Sequence, residues 1–422
     1  MPLADHVPAL RHRNFRLLWL SQLVSMAGSM MQSAAILWHV SLLVPAAKRG
    51  LALGMTGAVR ILPIVVFSIV SGVVADHFDR RKVMMVTQSL MALAAAALAA
   101  LSFSGSRALW AVYLLAGLSS AFWAFDGPSR QSLIPNLVPR EHLPNAISLN
   151  TIMFEVASIA GPAIGGMVIA WGGVGWAYAI NAVSFLFVIV ALLMMRGVAV
   201  RPEGTGSGVS MHAALEGLRF VFRTPLIRAT MLLDFFATFF ASATALLPIF
   251  AQDVLKVGAQ GYGLLSAAPS VGAVVAAAVM VPLAERIRRR GPVLMAWVAV
   301  YGAATMVFGL SRNFALSFLC LAVTGVADTV SVVIRNLVRQ LATPDSMRGR
   351  MTSVNMVFFM GGPQLGELEA GLVAQGFGAP LSVVTGGIGC VLSVLWVAWR
   401  TPALRAYRRE EPTARELERA QP

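Results

Sequence analysis

The sequence predicts an all-α membrane protein, with twelve transmembrane helices arranged as two pseudo-symmetric six-helix bundles. Three observations lead there. Of the 422 residues, 57% are hydrophobic and only 12% charged, against about 25% charged in a soluble domain. A dozen apolar runs reach the roughly 20 residues that carry a helix across a bilayer. The basic residues cluster between alternate runs instead of spreading along the chain. The runs are continuously apolar and do not alternate, which excludes a β-barrel.

Taken in order, the spans are read at 17–44, 51–75, 83–103, 108–128, 146–170, 174–195, 226–251, 261–284, 292–311, 314–338, 351–373 and 378–399. Arg11, Arg13 and Arg16 precede the first. That run is too long for a signal-peptide core and no small-x-small site closes it, so it reads as a membrane helix. Its length lets it tilt or extend beyond the bilayer. With the N-terminus inside, 27 of the 33 basic residues fall in inner segments. The outer loops hold only Lys48, Arg49, Arg107, Lys256 and Arg312, and Arg60 lies inside the second span. This split predicts both termini in the cytoplasm and an even number of spans.

The formal charge of +14 follows those loops. No basic stripe with interleaved aromatics is present, so nucleic acid is not an expected partner. Cys320 and Cys390 lie inside apolar runs and read as core residues, not as a disulfide framework. The six histidines show no ligand spacing, so neither a metal nor a cofactor is expected. No histidine cluster, nucleophile–base set or phosphate loop points to an enzyme.

Residues 1–195 read as the first bundle, 196–225 as a cytoplasmic linker, 226–400 as the second bundle and 401–422 as a charged, poorly ordered tail. The linker carries Gly204, Gly206 and Gly208 in a flexible composition. Met211, Leu215, Leu218 and Phe222 then recur at helical spacing, as in an amphipathic helix on the inner membrane surface. The bundles repeat. Ala75–Arg81 returns as Ala284–Arg290, Asp126 returns as Asp328, and Gly161-Pro162 returns as Gly362-Pro363. Repeats of the same orientation are the parallel arrangement of two transporter halves, with a substrate site near the midplane and access alternating by rocking.

Several residue sets stand out. Asp76 and Arg80 end the second span and begin the third, and Asp126 and Arg130 end the fourth. The last two are one helical turn apart and can pair. They suggest a charge cluster that locks one state, with Glu285, Asp328 and Arg335 as its mirror; the plain alternative is a solvated topology loop. Ionisable residues inside spans are costly and tend to face a cavity or a partner. Glu155 lies about ten residues into span five, roughly 15 Å deep, and Asp234 about eight residues into span seven, roughly 12 Å deep. Either is a candidate for proton coupling. Arg60, Glu367 and Glu369 lie in the outer half of spans two and eleven and are candidates for an outer closure. In the first span, Gln22, Ser25, Ser29 and Gln32 partly share a face, as a cavity-lining helix would. Trp123 and Phe235 are candidates for an aromatic wall; the alternative is lipid contact or core packing. Small residues around Pro162 (Gly161, Gly165 and Gly166) allow close helix approach where the proline bends the helix.

At this point a family resemblance is visible over nearly the whole chain. Gly72, Asp76, Asp79, Arg80, Arg81 and Lys82 resemble the signature between helices two and three of the major facilitator superfamily. Gly161-Pro162 with Gly165-Gly166 resembles its exporter-associated glycine–proline motif. The segment Phe125–Gln131, followed by Leu143 and Asn145, is similar to the branch of bacterial efflux proteins that includes enterobactin exporters. The resemblance implies a monomeric bacterial inner-membrane exporter that exchanges protons for a small amphipathic molecule, such as a siderophore or drug-like compound. It also implies that Asp76 meets the inner end of span eleven. Asp79 stands where the superfamily usually has glycine, His77 where a basic residue is common, and Tyr113–Phe125 lacks the span-four arginine motif of many proton antiporters. An importer or facilitator on the same fold, and a sensor or scaffold that transports nothing, remain the alternative readings.

Overall fold

The computed structural model describes residues 8–196, 211–242, 244–283, 287–344 and 347–408. They are helical throughout, with no strand among the described residues. Six long helices come first: α1 (Arg13–Leu43), α2 (Arg49–His77), α3 (Arg80–Phe103), α4 (Leu109–Leu133), α5 (Leu143–Gly172) and α6 (Val174–Met194). A shorter helix, α7 (Met211–Arg223), leads to α8 (Pro225–Phe240). The rest comprises α9 (Leu247–Ile249), α10 (Gly258–Leu283), α11 (Arg290–Leu310), α12 (Phe314–Leu341), α13 (Arg348–Phe377), α14 (Ala379–Arg400) and α15 (Pro402–Ala406).

Ten described segments are long and apolar enough to cross a membrane, where the sequence reading expects twelve spans. The two others, α1 and α13, have 31 and 30 residues but are more polar. They carry Gln22, Ser25, Gln32 and Gln364, Glu367, Glu369 respectively. The expected seventh span is also not one helix: α8 ends at Phe240, and the chain resumes as a 3-10 turn, α9 and a π turn at Phe250–Val254.

Helix boundaries follow local chemistry. Asp79 caps α3: its Oδ1 accepts from the backbone N–H of Arg81 at 2.9 Å and of Lys82 at 3.4 Å, a contribution of about 1 kcal/mol. The α5–α6 and α13–α14 hairpins each turn on one glycine, Gly173 at φ +85° and Gly378 at φ +86°. Each donates its N–H to the preceding helix, to Ile169 and Ala374 respectively. The left-handed backbone there suits glycine, which has no Cβ to clash. One joint in each sequence half is a repeat that residue identities alone do not show.

The chain forms two compact units that cut across the sequence halves. The first holds Met1–Pro45, Val59–Val209 and Val257–Ala267; the second holds Ala46–Ala58, Ser210–Lys256 and Ala268–Pro422. The start of α2 and the start of α10 therefore each pack with the other half's helices. Within the first unit, Phe15, Leu18, Met84, Leu133, Leu149 and Val188 belong to one buried cluster. The second unit gathers Leu233, Leu294, Val298, Ile334, Val338 and Cys390. In lipid such clusters gain little from the hydrophobic effect and rely on close van der Waals contact. Trp110, Trp171 and Trp399, at helix ends, are 70%, 79% and 74% exposed. That is the position of an aromatic belt at a membrane–water interface.

One expectation about the segments outside the bundles changes. The tail is docked as far as it is described: Leu404 is fully buried, and Gly291 donates its N–H to the Tyr407 carbonyl at 3.2 Å. Residues 409–422 lie outside the described residues. In α7, Leu218 and Phe222 are exposed, while Val221 packs with Ile227, Met231, Met351 and Val354. Glu216 accepts from Arg350 at 2.8 Å. Of the apolar stripe read from spacing, Leu218 and Phe222 are thus left uncovered while Val221 on the neighbouring face packs against α13; the side chains of Met211 and Leu215 lie outside the described residues.

Candidate functional site

In the second unit, residues assigned to separate roles by spacing meet. Arg335 on α12 places Nη1 at 2.6 Å from Asp234 Oδ1 on α8 and Nη2 at 3.4 Å from Asp328 Oδ1. Asp328 precedes Arg335 by two helical turns, so both lie on one face of α12, and the long arginine stem reaches back. The arginine side chain is 1% exposed, Asp234 3% and Asp328 45%. Desolvating a guanidinium costs several kcal/mol unless opposite charge and hydrogen bonds compensate. Here two carboxylates share one bridging cation. One turn further on, Arg339 donates to Asn336 Oδ1 at 2.6 Å and to Asn355 Oδ1, both neutral acceptors.

The first unit repeats the geometry with different chemistry. Arg130 on α4 donates through Nη1 to Gln22 Oε1 on α1 at 3.1 Å. The expected pairing of Asp126 with Arg130 does not form. Asp126 is turned to α3, where the Thr87 hydroxyl and the Gln88 amide donate to its Oδ1 at 3.1 and 2.9 Å. Two donors on a neighbouring helix outcompete a partner on the same helix whose side chain is drawn toward α1. Arg80 donates to the Ser132 carbonyl at 3.0 Å and Arg81 to the Leu193 carbonyl at 3.3 Å. Both satisfy acceptors in the last turn of a helix, where positive charge is favourable. Gly72 and Asp76 belong to α2, but their side-chain surroundings lie outside the described residues, as does Glu285 entirely.

The remaining candidates are placed as follows. Gln22, Ser25 and Gln32 are buried, and Gln32 accepts from Asn181 Nδ2 at 2.8 Å. Ser29 and Glu155 are half-buried. Trp123 packs beside Met91, Ala95 and Phe185. Phe235 stacks on Phe239 and meets Phe358 edge-on at 5.6 and 6.0 Å. Arg60 donates to Ser33 Oγ at 3.3 Å. Glu367 is 7% exposed and Glu369 half-buried.

The glycine–proline run serves two contacts. A Cβ at Gly161 would lie 2.6 Å from the Ala27 carbonyl of α1, and one at Gly166 would lie 2.6 Å from the Ala259 carbonyl of α10. Beside that contact Tyr262 donates to the Ala34 carbonyl at 2.9 Å and stacks on Trp38. The sequence reading missed the matching contact in the second unit. Gly50, Gly54 and Gly57 of α2 pack against Glu367 and Gly371 of α13, with a Cβ at Gly54 only 2.9 Å from Gly371 Cα. Arg49 and Asp253 add an ion pair at 2.9 Å. The small-xxx-small spacing Gly50–Gly54 was the available signal.

Spanning helices, internal repetition and buried charge clusters define the class as a multi-pass membrane transporter, not an enzyme. The comparisons agree. A family described as transmembrane secretion effector matches residues 4–417. The enterobactin exporter EntS of Salmonella choleraesuis (strain SC-B67) is 27% identical over 407 residues, covering 96% of each chain. Among solved structures, a bacterial homologue of the iron transporter ferroportin in an inward-facing state aligns with a TM-score of 0.70 at 15% identity, over 94% of this chain and 99% of that one. A peptide transporter POT in complex with sulfate gives 0.70 at 13% identity, over 93% and 95%. The chain belongs to the transmembrane secretion effector family of the major facilitator superfamily.

Proposed function

We propose that the chain is a secondary active exporter of a small amphipathic molecule, siderophore or drug-like, exchanged for protons by alternating access. It would sit in a bacterial inner membrane with both termini in the cytoplasm, the orientation supported by the loop charges. Export is supported by the family description and by full-length relatives named enterobactin exporters. Proton exchange is supported by one observation: Arg335 buried between Asp234 and Asp328. A proton taken up by either acid changes the charge that Arg335 and the neighbouring Arg339 face. Asp328 is the more exposed of the two carboxylates, 45% against 3% for Asp234, whose Oδ1 lies 2.6 Å from Arg335 Nη1. The cluster thus offers two charge states to which a moving bundle responds. Gly72, Asp76, Arg80, Arg81, Asp126, Arg130 and Glu285 form the cytoplasmic latch in this reading. Arg60 with Glu367 or Glu369 forms the outer closure.

Everted vesicles test the reading with catechol-type siderophores and dyes. Uptake into the vesicles is expected with a proton gradient and is expected to collapse with a protonophore; gradient-independent downhill flux would instead indicate a facilitator. In the same assay Asp76→Asn and Arg60→Glu should slow transport, and Arg60→Glu with Glu367→Arg or Glu369→Arg should restore part of it. Unchanged flux in Asp76→Asn at normal expression removes the latch, and failure of both swaps removes the outer pair.

A further inference from the structure

We propose that Arg130 and Gln22 form a binding site for the anionic group of the transported molecule, an organic carboxylate or phenolate. The inference rests on the transporter reading and adds the charge of the substrate. Arg130 is 9% exposed and Gln22 3%. Their one mutual hydrogen bond uses Arg130 Nη1 and the Gln22 oxygen. Arg130 Nε and Gln22 Nε2 are both buried without a protein partner among the described residues. Two adjacent helices therefore bring a permanent cation and an amide donor together with N–H groups unspent. The nearest acid along α4, Asp126, spends its Oδ1 on Thr87 and Gln88.

The second unit shows what a protein does when it neutralises such an arginine itself. There the fourth helix of the repeat also reaches the first, but Arg335 meets Asp234 and has Asp328 beside it. In the first unit a glutamine stands where the aspartate would be. A buried guanidinium without a counter-ion is unfavourable, and an oxyanion delivered from outside relieves it through charge-assisted hydrogen bonds. The planar fork of arginine matches a carboxylate, and the glutamine amide adds a donor at its side. The two units thus divide the work: the first takes the substrate's negative charge, and the second handles the proton.

The test is binding of 2,3-dihydroxybenzoate and of its neutral isostere 2,3-dihydroxybenzamide to the purified full-length protein, read by ligand-induced thermal stabilisation. The benzoate is expected to bind about tenfold tighter than the amide. Arg130→Gln should erase that difference and Arg130→Lys should keep part of it. Gln22→Leu, which retains the guanidinium, should weaken the benzoate about fivefold. Equal binding of the two probes, binding of neither, or discrimination that survives in Arg130→Gln overturns the proposal. If Arg130→Gln does not fold, unchanged benzoate affinity in Gln22→Leu overturns it. Binding needs no gradient, so intact discrimination with failed vesicle transport would count against the exporter reading alone.

Discussion

Asp234→Ala is expected to abolish gradient-driven transport and to cost about 3–5 kcal/mol of stability, because it strands a buried guanidinium. The loss should fall at the lower end of that range, since Asp328 remains 3.4 Å from Arg335. Asp234→Asn should melt closer to wild type while still failing to transport, because the amide keeps an acceptor but removes one of the cluster's two negative charges. The pair Asp234→Leu with Arg335→Leu separates the two roles. Replacing a whole buried ion pair by apolar groups is often neutral for stability, so this variant should fold and remain inactive. Thermal unfolding in detergent and vesicle flux check both. Wild-type flux in Asp234→Asn would remove the cluster from the mechanism.

The second large effect is expected at Gly166. An alanine there would place Cβ 2.6 Å from the Ala259 carbonyl and 2.8 Å from Gly263 Cα. Both obstacles are backbone, which cannot rotate aside as a side chain would. Overpacking of this kind costs about 1–3 kcal/mol, and separating α5 from α10 should also raise passive leak of a preloaded dye. Gly127→Ala is the matched control, because nothing lies within 4 Å of its added Cβ. It should be neutral or slightly stabilising, by up to about 1 kcal/mol from helix propensity. Equal leak from the two variants would show that the α5–α10 contact seals nothing.

The fold was largely legible. A helix that must cross lipid satisfies its own backbone, so its apolar length is written locally. The two long helices that fall short of the apolarity of a span, α1 and α13, carry buried polar side chains, Gln22, Ser25 and Gln32 on one and Glu367 on the other, as α4, α8 and α12 also do. The break after Phe240 was not anticipated, although Pro248 stands beyond it. The candidate site was legible as a set of residue types but not as a set of partners. Asp234 reads as a costly residue inside a span, Asp328 and Arg335 as the mirror of the cytoplasmic charge cluster, and no spacing joins the two sets. Asp126 and Arg130 looked like a pair because they are a turn apart, and each turned to a different neighbour.

By itself, then, the sequence determined the all-helical membrane class, the repeat, the loop charges and which polar groups need a partner. Those properties depend on solvation and on contacts within a few residues. Only the tertiary structure decided who meets whom: Arg130 with Gln22 across 108 residues, Arg335 with Asp234, and α2 with α13 through their glycines. Such pairings depend on the rotation and height of each helix against its neighbours. In lipid these are set by the close packing of small residues, which no spacing along one chain segment records.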